Sequence, residues 1–416
     1  MKSVRIFILI LILFGVWILL VGCGSGGGNS GSTATSSTPT TTQTIVTSGN
    51  NVQTITVDGG PSSISQYPQP NVAFTSVTVC EHGSTSNCAT IDHVMVDTGS
   101  SGLRLLSSAL AGSSLSLQTE TANDGNQIGE CVQFSDLSYV WGSIQIADVY
   151  LANGNEIAYS VPIHVLDSTF SVIPQDCSSG YTLEDDLNSL GANGILGIGS
   201  TQYDCSVGGT NFCAPGNGSE PPTAAYYECS TSGCTSAFVS LAQQVQNPVA
   251  LFSTDNNGVI IELPAVSDPT QSLTGSMVFG IGTQTNNALG STTKFSLDQN
   301  GYINTTFNGT AFSSYIDSGS NAYFFQDKSI AQDSNGWYIP GSTLTLPAII
   351  GSDTNVSFSV DNADNMLYDY PTSTYAVLNT LAGYLDGYFD WGLPFFYGRN
   401  IYTSITAQGN GTYFAF

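Results

Sequence analysis

Val94-Met95-Val96-Asp97-Thr98-Gly99-Ser100-Ser101-Gly102-Leu103-Arg104-Leu105-Leu106 is the stretch from which the rest of this 416-residue chain is best read. An apolar run of strand character ends in an Asp, and a hydroxyl residue, a Gly and a Ser follow it. A shorter echo, Tyr315-Ile316-Asp317-Ser318-Gly319-Ser320-Asn321, repeats that order 220 residues later. An Asp closing an apolar strand is unexpected, because burying a lone carboxylate is costly unless it is hydrogen-bonded or protonated. Two such sites suggest one shared remedy.

Paired carboxylates supply it. Two carboxylates roughly 3 Å apart cannot both ionise. Their repulsion at an effective dielectric near 20 is about 5 kcal/mol, or about four pK units, so the pair holds one proton. The ionised member can take a proton from water while the protonated member polarises a carbonyl. Thr98, Ser100, Ser318 and Ser320 offer hydroxyls, and Gly99 and Gly319 offer backbone N–H groups, as donors to such a pair.

The two motifs resemble those of the pepsin-like aspartic proteases. Asn193-Gly194-Ile195-Leu196-Gly197-Ile198-Gly199 is similar to the family's hydrophobic-Gly segment behind the first Asp, and Asp390-Trp391-Gly392-Leu393-Pro394-Phe395 to its partner behind the second. Gly275-Ser276-Met277-Val278-Phe279-Gly280 resembles the strand that opens the family's second lobe. The order is the family's order over residues 71–416, and a divergent bacterial subfamily of lipoproteins of unknown function fits it. The resemblance implies an all-β, bilobal acid-protease fold with two related β lobes around a central cleft. It implies Asp97 and Asp317 as the catalytic pair, with Thr98, Gly99, Ser100, Ser318, Gly319 and Ser320 in support. It implies a peptide or protein substrate and no cofactor.

Tyr139-Val140-Trp141-Gly142 resembles the family's flap, which would put Tyr139, Trp141 and Gly142 against substrate; an ordinary strand explains them equally. Arg104 stands where the family commonly has a Trp that holds the flap tyrosine. A guanidinium there could donate to Tyr139 and favour ionised carboxylates nearby, or it could point to solvent or pair with a surface carboxylate.

The amino terminus reads as an export signal. Lys2 and Arg5 precede an apolar run from Ile6 to Gly22, and Leu20-Val21-Gly22-Cys23 resembles a lipobox in which Cys23 is lipidated. An uncleaved anchor is the alternative, at the short limit for a span; either tethers the chain to a membrane. Gly24 after the Cys favours the outer membrane or cell surface over the inner membrane. Residues 23–50 are rich in Gly, Ser and Thr, a composition that cannot bury a core and reads as a flexible tether. The expected organisation is a signal at 1–22, this linker at 23–50, a first lobe at 51–247 and a second at 248–416.

Nine cysteines, less Cys23, leave eight, which suits disulfides in an oxidising compartment such as the periplasm. Short spacings favour Cys80–Cys88, Cys205–Cys213 and Cys229–Cys234, leaving Cys131–Cys177, although spacing alone leaves other pairings open. With no Cys-x-x-Cys pair and three histidines, no metal site is expected. Six Lys and Arg against 31 Asp and Glu give a formal net charge of −25, which repels nucleic acid and anionic headgroups. That repulsion shrinks toward the sequence pI of about 4.1, which suits an acidic setting, although it also simply aids solubility.

Val72–Val79, Ile144–Leu151 and Val161–Leu166 carry strand patterns, and Asn257-Gly258 and Asn308-Gly309 read as hairpin turns. Phe238–Val245 and Tyr375–Leu385 have the three-and-four spacing of helices, and Pro174–Cys234 reads as loops pinned by disulfides. A serine hydrolase fits poorly, because no Gly-x-Ser-x-Gly elbow is present. Gly194 to Gly199 superficially suggests a glycine-rich nucleotide loop but lacks the Gly-x-Gly-x-x-Gly order, and no Gly-x-x-x-x-Gly-Lys is present. The sequence reading is therefore a monomeric, exported, membrane-tethered aspartic endopeptidase. Its alternative is an inactive surface module that binds peptide or polysaccharide in the same cleft.

Overall fold

The computed structural model describes residues 43–64, 69–369, 375–405 and 411–416, with backbone alone at 368 and 369. The expected export signal at 1–22, Cys23 and the expected linker up to residue 42 lie outside these. The protein is all-β: no α-helix among the described residues is longer than four residues, and none is long and apolar enough to cross a membrane.

Strands form where the apolar pattern predicts them, at Ala73–Glu81, Ser138–Leu151 and Glu156–Leu166. The Cys88–Asp97 strand shows why the central stretch is apolar without alternation. Ala73–Glu81 pairs antiparallel along one edge and Gly194–Ile198 parallel along the other, so Val94, Met95 and Val96 are buried on both faces. Thr310–Ile316 is placed in the same way, between antiparallel Ile303–Phe307 and parallel Tyr388–Trp391. Asn308 and Gly309 join the first two strands of that sheet with φ of 49° and 76°, the left-handed pair that a two-residue hairpin requires.

Among the described residues three sheets result, of 17, seven and two strands. The largest runs through both halves of the chain. Val52–Val57 pairs with Ala73–Glu81 on one side and with Leu273–Phe279 on the other. Gly258–Leu263 then joins Leu273–Phe279 to Arg399–Ser404. The seven-stranded sheet comes wholly from the carboxy-terminal half and backs onto an aromatic core in which Phe389 stacks on Trp391 at 4.3 Å. The Trp391 indole N–H donates to Thr305 Oγ1 at 2.9 Å, so its one polar atom is satisfied inside that core.

Four disulfides are formed, Cys80–Cys88, Cys131–Cys177, Cys205–Cys213 and Cys229–Cys234, the pairing that spacing favoured. They place the chain in an oxidising, extracytoplasmic compartment.

Several expectations are corrected. Phe238–Val245 contains only the three-residue 3-10 turn Leu241–Gln243. Tyr375–Leu385 is extended, with the strand Ala382–Tyr384 at its end. In the second segment Ala376, Val377, Leu378, Leu381 and Ala382 are all buried, so its spacing reflects an enclosed strand-like segment with no polar face to define a helix. Asn71 Oδ1 and Thr270 O take its backbone N–H groups instead. Asn257-Gly258 makes no hairpin, because the 3-10 turn Pro248–Leu251, and no strand, precedes it. The Asn257 side chain instead binds the backbone of Ile281. Residues 43–50 of the expected linker belong to the folded body. Gln43 Nε2 donates to Leu263 O, Arg399 O and Asn400 Oδ1, and Val46 N donates to Glu262 Oε2 at 2.6 Å.

Candidate active site

Each Asp motif is held from behind by a parallel strand. Gly197 lies beside Asp97 in the register, and Asp317 N donates to Trp391 O at 3.1 Å. A side chain on Gly197 would meet Ser100 Oγ at 2.8 Å, which is why a glycine sits behind the first motif. The two loops then grip each other. Thr98 N donates to Ser318 Oγ at 3.1 Å, and Ser318 N donates to Thr98 Oγ1 at 2.9 Å. The same hydroxyls pass their own protons to Ile316 O and Val96 O across the gap. Each hydroxyl thereby both donates and accepts across the gap, and the loops are fixed face to face.

This grip brings the carboxyls together. Gly99 N donates to Asp97 Oδ1 at 2.7 Å and Gly319 N to Asp317 Oδ1 at 2.8 Å. Ser100 Oγ donates to Asp97 Oδ2, and Ser320 Oγ to Asp317 Oδ2 at 2.8 Å. Each carboxyl lies against the glycine of the other motif, close enough for the two to act on one another's protonation. A Cβ on Gly99 would lie 2.7 Å from both Asp317 oxygens, and one on Gly319 would lie 2.5 Å from Asp97 Oδ1. Only glycine fits at these two positions. Both carboxyls are fully buried; of the residues around them in the two motifs, Gly99 keeps some surface.

The surroundings make the pair unequal. Burial pushes Asp97 up, against the pull of Ser100, Asp317, Gly99 and the Arg104 charge. Burial pushes Asp317 well above the carboxylate range, and the charges of Asp97 and Asp390 push it further. Asp97 is thus the member suited to carry the negative charge and Asp317 the proton.

Arg104 does not reach solvent, a surface carboxylate or Tyr139. It is fully buried and donates through Nη2 to Glu130 Oε1 and Asp204 Oδ2, each at 3.1 Å, and through Nη1 to Ser101 O at 2.8 Å. Burial works against its charge, but Glu130 and Asp204 outweigh it and raise the guanidinium further. Tyr226 OH donates to Asp204 Oδ1 at 2.8 Å, and His164 Nδ1 lies 2.9 Å from Glu130 Oε2. These partners lie far from Arg104 in sequence, and no local motif announces them.

Tyr139, Trp141 and Gly142 do not form a free flap. The hairpin of Gln127–Gln133 and Ser138–Leu151 is flanked by Tyr226–Ser230 on one edge, and Thr182 and Leu183 pair with Ser138 and Tyr139. Cys131–Cys177 ties the adjoining loop across it. Tyr139 is 5% exposed and Trp141 0%, with Trp141 packed edge-on to Tyr227 at 5.4 Å. A side chain on Gly142 would strike Val165 O. These three are core residues.

A further acid was missed in the sequence. Asp390 is fully buried on the Tyr388–Trp391 strand beside Tyr315, and neither of its oxygens has a hydrogen-bond partner. The signal was available, since Asp390 is again an Asp inside an apolar run, Tyr388–Phe396. Among the described residues, no three His, Cys, Asp or Glu side chains are arranged to hold a metal ion.

No curated protein matches the chain. The family described as "Protein of unknown function (DUF3443)" matches residues 47–416, and the chain belongs to that family.

Proposed function

We propose that this protein is an exported, membrane-anchored aspartic endopeptidase with a bilobal pepsin-like architecture. The observation that carries the reading is the pair of facing carboxyls, Asp97 and Asp317, each against the other motif's glycine and each with the same Gly N–H and Ser hydroxyl donors. In the reaction, ionised Asp97 takes a proton from water as the water oxygen bonds to the scissile carbonyl carbon. Protonated Asp317 gives its proton to the carbonyl oxygen. The resulting diol then collapses: Asp97 returns its proton to the amide nitrogen, the C–N bond breaks, and Asp317 recovers the proton from the diol. No acyl-enzyme forms.

The test is cleavage of an unfolded protein at acidic pH. Asp97→Asn and Asp317→Asn should each lower kcat/KM by at least about 100-fold. Wild-type rates in either variant would refute the mechanism. Membrane attachment by lipid on Cys23 belongs to the same reading. Exported chain should partition into detergent, and Cys23→Ser should leave it in the aqueous phase; unchanged partitioning would remove the lipid from the account.

Complete burial of both carboxyls and the locked hairpin favour a second reading, a noncatalytic module that holds peptide or polysaccharide. Stoichiometric binding without turnover, indifferent to a transition-state mimic, distinguishes it. A serine hydrolase gains nothing from Ser160, His82 and Asp148. Ser160 Oγ and Asp148 Oδ1 both lie closest to the same ring nitrogen, Nδ1, at 2.9 and 3.1 Å, whereas a triad uses the two nitrogens separately.

A further inference from the structure

The chain builds one arrangement twice and fills two positions of it oppositely. Beside the Asp97 strand, Ile195 pairs with Met95, two residues before the Gly197 that lies next to Asp97. Beside the Asp317 strand, Asp390 pairs with Tyr315, two residues before Gly392. Across the antiparallel neighbour, Arg104 faces Ile195 in the first copy and Phe324 faces Asp390 in the second. Arg104 and Phe324 each follow their Asp by seven residues. The first copy therefore sets a cation and an apolar residue behind its acid, and the second sets an apolar residue and a carboxyl. Ile195 shows that this sheet position accepts an aliphatic side chain, so the fold itself does not require an acid at 390.

The groups around Asp390 supply no counter-charge. Asp317 and Tyr315 face it from the Thr310–Ile316 strand and its end, Asp97 acts on it from the first motif, and Phe324 lies on its other side. The Ser320 hydroxyl pulls on it, but makes its bond to Asp317 Oδ2. Tyr302 and Tyr388 stand beyond Tyr315, all neutral donors. Arg104, the cation in this region, acts on Asp97. A buried carboxyl with no bonded donor and no cation favours its neutral form.

We propose that Asp390 is a positioning residue of the Asp97–Asp317 pair, a third carboxyl that shares its protons and keeps Asp317 in the acid form where two carboxyls alone would have ionised. The inference rests on the hydrolytic reading of the pair. Three carboxyls in one dry space lose protons in steps that belong to the set, and each added negative charge makes the next loss harder. Burial raises Asp390 well above the carboxylate range, with Asp97 adding to the rise and Ser320 opposing it. Asp317 must lose its proton against both Asp97 and Asp390. Loss of that proton defines the alkaline limb of activity, so Asp390 moves the limb up and its removal moves it down.

The test compares wild type with Asp390→Asn, which copies the neutral acid in size, and Asp390→Ile, which copies position 195. Two readouts are followed against pH: kcat/KM for peptide cleavage and the infrared carbonyl band of protonated carboxyl groups. In both variants cleavage at acidic pH should persist while the alkaline limb moves down by on the order of one pH unit. The protonated-carboxyl band should fade at correspondingly lower pH. An unmoved limb with an unmoved band overturns the proposal, as does failure of the Asn variant to fold, which would show that the charge at 390 holds the structure. If wild type cleaves nothing at any pH, the hydrolytic reading falls, and the band alone still decides whether three carboxyls share protons.

Discussion

Asp97 and Arg104 stand seven residues apart and show how much of a site a single position reveals. Asp97 was conspicuous because an acid at the end of an apolar strand has to be explained, and its glycine and hydroxyl neighbours supplied the explanation in sequence. Arg104 was equally conspicuous, yet its partners could not be read, since Glu130 and Asp204 reach it only through folding. Both are buried beside Arg104; burial and Glu130 push Asp204 well above the carboxylate range, and the guanidinium opposes that rise. Arg104→Met should therefore destabilise the protein by about 3–5 kcal/mol, the usual cost of stranding buried partner charges. Urea unfolding measures this, and a loss below about 1 kcal/mol would show that Glu130 and Asp204 adjust by binding protons. Without the cation Asp97 would also hold its proton to higher pH, so the acid limb of activity should move up.

At the scale of elements, strand positions were legible because period-two patterns and apolar runs report burial directly. Turn chemistry was legible where two strands flank it, as at Asn308-Gly309, and misleading at Asn257-Gly258, where no strand precedes. The two misread helices share one cause. Apolar spacing of three and four signals a helix only when the intervening residues face water, and Ala376–Leu378 face other protein on every side. The hairpin around Tyr139 reads equally as flap or ordinary strand for a related reason: the pattern describes two paired strands but is silent about what lies on their outer edges. Here those edges are covered by Tyr226–Ser230 and Thr182–Leu183, and a disulfide fixes the cover.

Across the whole molecule, the two halves meet at a second carboxyl contact. Glu156 opens a strand of the amino-terminal half, and Asp255 precedes the Gly258–Leu263 strand of the other. Thr283 and Gln284 donate to Asp255, which leaves Glu156 to supply the proton between the two acids. Burial, then the Asp255 charge and hydrogen bond, push Glu156 from 4.5 to about 8. The folded chain thus keeps a proton that the unfolded chain has released. The stabilisation is complete below 4.5 and is lost as pH rises through about 8. Thermal unfolding of wild type should become progressively easier over that window, and Glu156→Gln should flatten the slope. Parallel pH profiles for the two proteins would contradict this.

The Val52–Val57 strand, hydrogen-bonded on both edges, follows closely on the segment from Gln43 to Val46 that is bonded to the body. A pull on the amino-terminal end of the described chain is first resisted by the clasp of Gln43 and Val46 on residues 262–263 and 399–400. Beyond that clasp the load falls on a strand that must slide past two neighbours at once. Mechanical rupture would therefore part the two halves of the molecule rather than peel away a loose end.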